Sequence, residues 1–180
     1  EPGDLLSDEH EAVVRRLVAE SYQRPVVWVH GNHDESVTLG DPGRIQFVRR
    51  WTVDDTLLVL HGDQLDGIMP KHGLFKSVFK KLHRLRIRLG FPDVHVAHYA
   101  KRWSLLYRVL NEHVARRAID AARRKGFRAV TCGHTHAPME LDREGHRYLN
   151  TGAWTEEPNH YVSVTEGGQI KLQVFPNGKV

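Results

Sequence analysis

Four short polar clusters carry the residues in this chain that could do chemistry. They are Gly3-Asp4, Gly31-Asn32-His33-Asp34, His61-Gly62-Asp63 and Gly133-His134-Thr135-His136. Histidine is the commonest metal ligand among side chains. An asparagine amide oxygen and an aspartate carboxylate are oxygen donors to hard or borderline cations. In an extended segment, side chains two apart share a face, so His134 and His136 could approach one site. Taken singly, each cluster has a plain alternative. His134 and His136 could be surface histidines, and Gly31 to Asp34 could be an ordinary turn. His61 could cap a strand, and Asp4 could sit in the approach to a helix.

The elements that must position these clusters are legible from periodicity. Asp8 and Glu11 read as a capping pair, and Val13, Val14, Leu17 and Val18 recur at helical spacing after them. Val26 to Val29 reads as a short buried strand leading into Gly31. Ile45 to Val53 and Thr56 to Leu60 read as two strands turning at Asp54-Asp55, the second ending at His61. From about residue 68 to 125 the pattern is helical, interrupted at Gly90-Phe91-Pro92-Asp93 and closed by Gly126. Phe127 to Cys132 returns to strand and leads into Gly133. Tyr148 to Asn150, His160 to Thr165 and Gln169 to Phe175 read as the last strands, with Glu166-Gly167-Gly168 turning between the final two. The polar clusters after residues 29, 60 and 132 therefore follow the ends of apolar strands, where open α/β sheets place ligands.

In their order along the chain, the four clusters resemble the motifs of the calcineurin-like metallophosphoesterase family, over Gly3 to about Trp154. The resemblance implies an α/β fold, a sandwich of two mixed β-sheets flanked by helices, as a single domain over residues 1–180. It carries a helical, lid-like insertion over 68–125. It further implies hydrolysis of a phosphoric ester or pyrophosphate bond by in-line attack of a hydroxide bridging two divalent cations. Asp4 would bridge both cations, Asn32, His61 and His134 would complete one, and His136 would bind the other. His33 would face the substrate phosphate as the catalytic acid. The mixed N/O ligand set suits Mn first, with Fe or Zn as alternatives.

Two departures qualify this. The family opens with an Asp-x-His motif on its first strand, and only Glu1 and Pro2 precede Gly3 here. The expectation is that the native amino-terminal strand lies outside this sequence; the alternative is a member that has lost one metal and serves as a non-catalytic scaffold. A second acid is also expected three residues after Asp4. Ser7 stands there, which leaves Asp8 to tune His33.

The insertion is strongly basic. Residues 71–128 hold 16 Lys or Arg against three acids (Asp93, Glu112 and Asp120), a bias toward anionic partners. With His61-Gly62-Asp63-Gln64-Leu65-Asp66 and Tyr148 to Trp154, it is similar to the UDP-2,3-diacylglucosamine pyrophosphohydrolase-like subgroup. That likeness implies a lipid-linked or nucleotide-sugar substrate and peripheral membrane contact through the insertion. A soluble phosphodiester is the alternative, with nucleic acid less favoured. The formal net charge of +4 agrees with an anionic partner. There is no apolar run of membrane-spanning length and no leader pattern. The single cysteine, Cys132, excludes an internal disulfide, reads as a buried strand residue, and fits a reducing compartment; the expected location is cytoplasmic, peripheral to the inner membrane through the basic insertion. Trp103 and Tyr107 read as helix packing, His83, His95, His98 and His113 as surface residues, and Asp63 and Asn150 as groups that support ligands.

Overall fold

The computed structural model describes residues 8–32, 34, 38–67, 104–155 and 157–176. Asp4 and His33 lie outside the described residues, as do Trp103, His83, His95, His98 and positions 68–103 of the insertion.

The centre of the fold is a run of strands that bury residues on both faces. β4 (Leu57–Leu60) and β5 (Ala129–Cys132) pair in parallel, Leu58 opposite Val130. β7 (His146–Asn150) pairs in parallel on the far side of β5, Val130 opposite Tyr148. Side chains alternate between faces. Leu58, Leu60, Val130, Cys132 and Tyr148 therefore enter one core, and Leu57, Ala129 and Leu149 enter a second. Strands buried on both sides read as continuous apolar runs, which is why β4 and β5 are visible in the sequence. β3 (Arg50–Val53) and β6 (Met139–Arg143) close the sheet antiparallel at its two edges, giving the order β3-β4-β5-β7-β6. Exposed Arg50, Glu140, Asp142 and Arg143 put charges on those edges, a common guard against edge-to-edge pairing.

One face of the sheet is covered by a long helix, α2 (Ser104–Arg124). It presents Leu110, Val114, Ala118 and Ala122 at helical spacing, all buried in the first core. Its small residues let the helix approach the sheet closely. The helix ends as Gly126 predicts. Gly126 sits at φ 80°, its N–H reaches Arg123 O at 3.1 Å, and Phe127 N–H reaches Ala122 O at 3.0 Å. These two bonds make a Schellman ending, with Phe127 packed back on the core. The other face is covered by the hairpin of β8 (His160–Val164) and β9 (Ile170–Val174), through Val162, Val164, Ile170 and Leu172. The result is a layered α/β sandwich of mixed sheets, as expected.

β1 (Val27–Val29) and β2 (Gln46–Val48) form a separate parallel pair, with Trp28 stacked on Phe47 at 5.8 Å. This corrects the reading of Ile45 to Val53 as one strand. The chain changes sheet at Arg49, β2 staying with β1 and β3 joining β4. α1 (Asp8–Ser21) packs with Val14, Leu17 and Val18 half-buried, while Val13, expected on the same stripe, is exposed. The end of α1 is pinned by Ser21, whose hydroxyl donates to Val18 O at 2.6 Å and accepts from Arg44 N–H at 2.9 Å. Among the described residues, no helix is long and apolar enough to cross a membrane.

The two-sided sheet makes a direct prediction. Leu58 is 1% exposed. Leu58→Ala should cost about 2–5 kcal/mol of unfolding free energy in chemical denaturation; a loss well under 1 kcal/mol would contradict the assigned core.

Candidate metal centre

Three of the five expected metal ligands are brought together at neighbouring strand ends. β1 ends at Val29 and delivers Asn32, β4 ends at Leu60 and delivers His61, and β5 ends at Cys132 and delivers His134. Asn32 Oδ1 lies 3.1 Å from His61 Nε2. The His61 and His134 rings meet edge-on, 5.2 Å between centroids. The backbone locks this pairing, because His61 O accepts both Gly133 N–H and His134 N–H at 3.1 Å.

Two glycines make the approach possible. A Cβ on Gly31 would stand 2.7 Å from the His61 ring, so any side chain there would displace the imidazole. Gly62 adopts φ 113°, a conformation that L side chains rarely adopt, and a Cβ on it would press on His134 and Cys132 at 3.1 and 3.2 Å. Asp34 shapes the Asn32 loop. Its carboxylate accepts from Trp28 Nε1 at 2.6 Å and from Gly31 N–H. Burial pushes the Asp34 carboxyl up, but the bonds from Trp28 and Gly31 outweigh it and hold the group below the usual carboxylate range.

The Gly133 to His136 segment corrects one expectation. It is a turn rather than an extended segment, with His136 at φ 54° and His136 N–H bonded to Gly133 O at 2.9 Å. The two histidines therefore do not share a face by strand alternation. His136 is exposed, and its charge lowers the His61 pKa. Thr135, buried between them, anchors the turn. Asn150 Nδ2 donates to Thr135 Oγ1 at 2.9 Å and to Tyr148 OH at 3.0 Å, and Asn150 Oδ1 accepts from Gly152 N–H at 2.8 Å. Tyr107 of α2 donates its hydroxyl to Thr135 O. Asn150 thus supports the ligands as expected.

Several further residues carry the site in ways the sequence does not show. Asp66 is 3% exposed, and its Oδ2 lies 3.0 Å from His134 Nε2. Tyr107 and Thr135 fix the ligand turn. The contacts of Asp66 and Tyr107 join residues 68 and 28 positions apart, so local patterning gives no signal for them. Asp63 is half-buried beside Arg49 at 4.0 Å. His113, expected at the surface, is half-buried on α2 with Nε2 shielded from solvent. Cys132 is the buried strand residue expected, and burial pushes its thiol up to about 12.

The donor chemistry fits a divalent cation. Burial, followed by the neighbouring His134, pushes the His61 pKa down despite Asp63 and Asp34. A neutral imidazole keeps the lone pair that a metal needs. An amide oxygen and two imidazoles make a mixed N/O set suited to Mn, Fe or Zn. Among the described residues, no three His, Cys, Asp or Glu side chains form a metal-holding cluster. The described set is two histidines and an amide, with Asp4 outside it.

The profile of the calcineurin-like phosphoesterase superfamily domain matches residues 3–166, and the chain belongs to that family. Among solved structures, Vacuolar Protein Sorting 29 from Cryptosporidium parvum is similar over 95% of this chain and 77% of its own, at 14% identity and a TM-score of 0.38. A comparison with curated proteins found no match.

The support under the ligand turn is testable by stability alone. Asn150 is 1% exposed, and Asn150→Ala strips partners from Thr135, Tyr148 and the Gly152 amide. It should cost about 2 kcal/mol or more in urea unfolding; an unchanged midpoint and slope would refute the role of Asn150 in holding the turn.

Proposed function

We propose that this protein is a metal-dependent hydrolase of phosphoric ester or pyrophosphate bonds. Asn32, His61 and His134 would hold one divalent cation, His136 would bind a second, and Asp4 would serve both. The observation that carries the reading is the convergence of Asn32 Oδ1 on His61 Nε2 at 3.1 Å with the His134 ring edge-on to His61. Membership of the phosphoesterase family supports it.

Divalent cations in such a site, Mn first among them, neutralise phosphate oxygens and make water acidic enough to be a nucleophile at neutral pH. The chain's own residues do the rest. Burial keeps His61 uncharged and available as a donor. The bond donated by Gly31 N–H to the Asp34 carboxylate presents Asn32 from a fixed turn. The Asn150–Thr135–Tyr107 contacts hold the carbonyl and side chain between His134 and His136, so the ligands are set before substrate arrives. His33 is assigned to the substrate phosphate, where it would protonate the leaving oxygen.

For substrate we propose a phosphate group carried on a lipid-linked or nucleotide-sugar molecule such as UDP-2,3-diacylglucosamine, met at the inner face of a membrane. Support comes from the basic composition of residues 71–128 and from the His61 to Asp66 and Tyr148 to Trp154 segments. On α2 part of that charge is already paired: Arg108 and Arg116 both meet Glu112, and Arg123 meets Asp120 and Glu144. Those arginines stabilise the helix. Exposed Arg117 and Arg124 stand outside these pairs.

The test is Mn-dependent turnover of bis-p-nitrophenyl phosphate. The protein should hydrolyse it, lose activity with a chelator and regain it with Mn. His61→Ala and Asn32→Ala should each lower turnover about 100-fold or more, beyond the usual effect of residues behind the ligands. Undiminished turnover in either variant would sink the proposal. Cleavage of soluble diesters with none of UDP-2,3-diacylglucosamine would refute the substrate assignment alone.

A further inference from the structure

The loop that supplies His61 also grips His134, and the second grip comes from a buried carboxylate. After His61 the chain turns through Gly62 into a short 3-10 helix, Asp63–Leu65, closed by Leu65 N–H to Gly62 O at 3.0 Å and Asp66 N–H to Asp63 O at 3.2 Å. Leu65 is buried in the same core as Leu110 and Val114 of α2. This plug fixes the turn, so Asp66 emerges from it at a defined place, 3% exposed. Its Oδ2 lies 3.0 Å from His134 Nε2, on a histidine side chain only 11% exposed. His134 is thus held twice from the β4 loop. Its backbone N–H is bonded to His61 O, and its ring is bonded to Asp66.

The chemistry of the second contact is directional. An ionised carboxylate only accepts hydrogen bonds, so against a carboxylate at Asp66 the facing ring nitrogen carries the proton. A neutral imidazole has one protonated and one bare nitrogen. With the proton on Nε2, the bare nitrogen is Nδ1. Metal-binding histidines characteristically donate their other N–H to a carboxylate, which sets ring orientation and raises donor strength.

We infer that Asp66 is the positioning residue for His134, fixing the Nε2–H tautomer so that Nδ1 is the nitrogen that binds the cation. The inference rests on the metal reading proposed above and adds to it a residue and an atom. Asp66 touches neither substrate nor cation; it acts through His134. The loop from His61 to Asp66 then has two roles on one site. One end contributes a ligand, and the other end orients the ligand from the neighbouring strand.

The first measurement needs no variant. Imidazole 15N chemical shifts of the metal-free full chain, at about pH 8.5 where an ordinary histidine is neutral, report which nitrogen carries the proton. The His134 signals are assigned by comparison with His134→Gln. A protonated Nε2 and a bare Nδ1 are expected; a predominant Nδ1–H form overturns the inference. The second compares Asp66→Asn with wild type. The amide keeps the shape of the carboxylate but can offer either a donor or an acceptor to His134. The thermal midpoint should hold near wild type, the tautomers should mix, and calorimetric Mn affinity should fall about 10–100-fold. An unchanged tautomer together with unchanged Mn affinity overturns the role of Asp66 while leaving the metal site standing. Failure of the wild-type chain to bind Mn at all overturns the metal reading and this inference with it.

Discussion

The parallel pairing of β4 with β5 is the constraint on which the rest depends. It places the ends of two strands side by side, and the single carbonyl of His61 then accepts two backbone N–H groups, from Gly133 and His134. That shared acceptor sets how far apart the His61 and His134 rings can sit. Parallel strands cannot be joined by a tight turn and need a crossover. The crossover here is the whole stretch from His61 to Arg128, so the basic insertion sits between the two histidine-bearing strands. Its described helix, α2, returns across the sheet and reaches the site directly, through the Tyr107 hydroxyl on Thr135 O. The cover of the core and the support of the ligand turn are therefore one element.

Much of this was legible in the sequence because burial on both faces leaves an unmistakable mark. Leu57 to Leu60 is apolar throughout and Ala129 to Cys132 is buried throughout with Thr131 its one hydroxyl, and the polar clusters begin where that character stops. The strand ends that carry Asn32, His61 and His134 were readable for that reason, their grouping as one ligand set following from the family resemblance, and the turn at Gly126 was readable because only a left-handed residue closes α2 that way. The carboxylate Asp4 and the acid assigned at His33 are legible as motif members alone.

What was not legible has particular causes. β6 mixes Glu140, Asp142 and Arg143 with Met139 and Leu141, because an edge strand buries one face only and uses charge on the other. The division of Ile45 to Val53 at Arg49 is a change of partner strand, and a continuous apolar pattern does not show which sheet a residue joins. The turn geometry of His134 to His136 depends on φ 54° at His136, a left-handed conformation no spacing rule announces. Asp66 is legible as the last member of the His61 to Asp66 segment, without its role. Its meaning lies in a contact with a residue 68 positions away.

The central claim is that three side chains from three strand ends form one cation site. The most direct measurement is anomalous X-ray scattering from crystals of the Mn-loaded protein. The expected result is a cation bonded to Asn32 Oδ1, a His61 ring nitrogen and His134 Nδ1, with Asp66 still on His134 Nε2. A bound cation that leaves Asn32, His61 and His134 uncoordinated would contradict it.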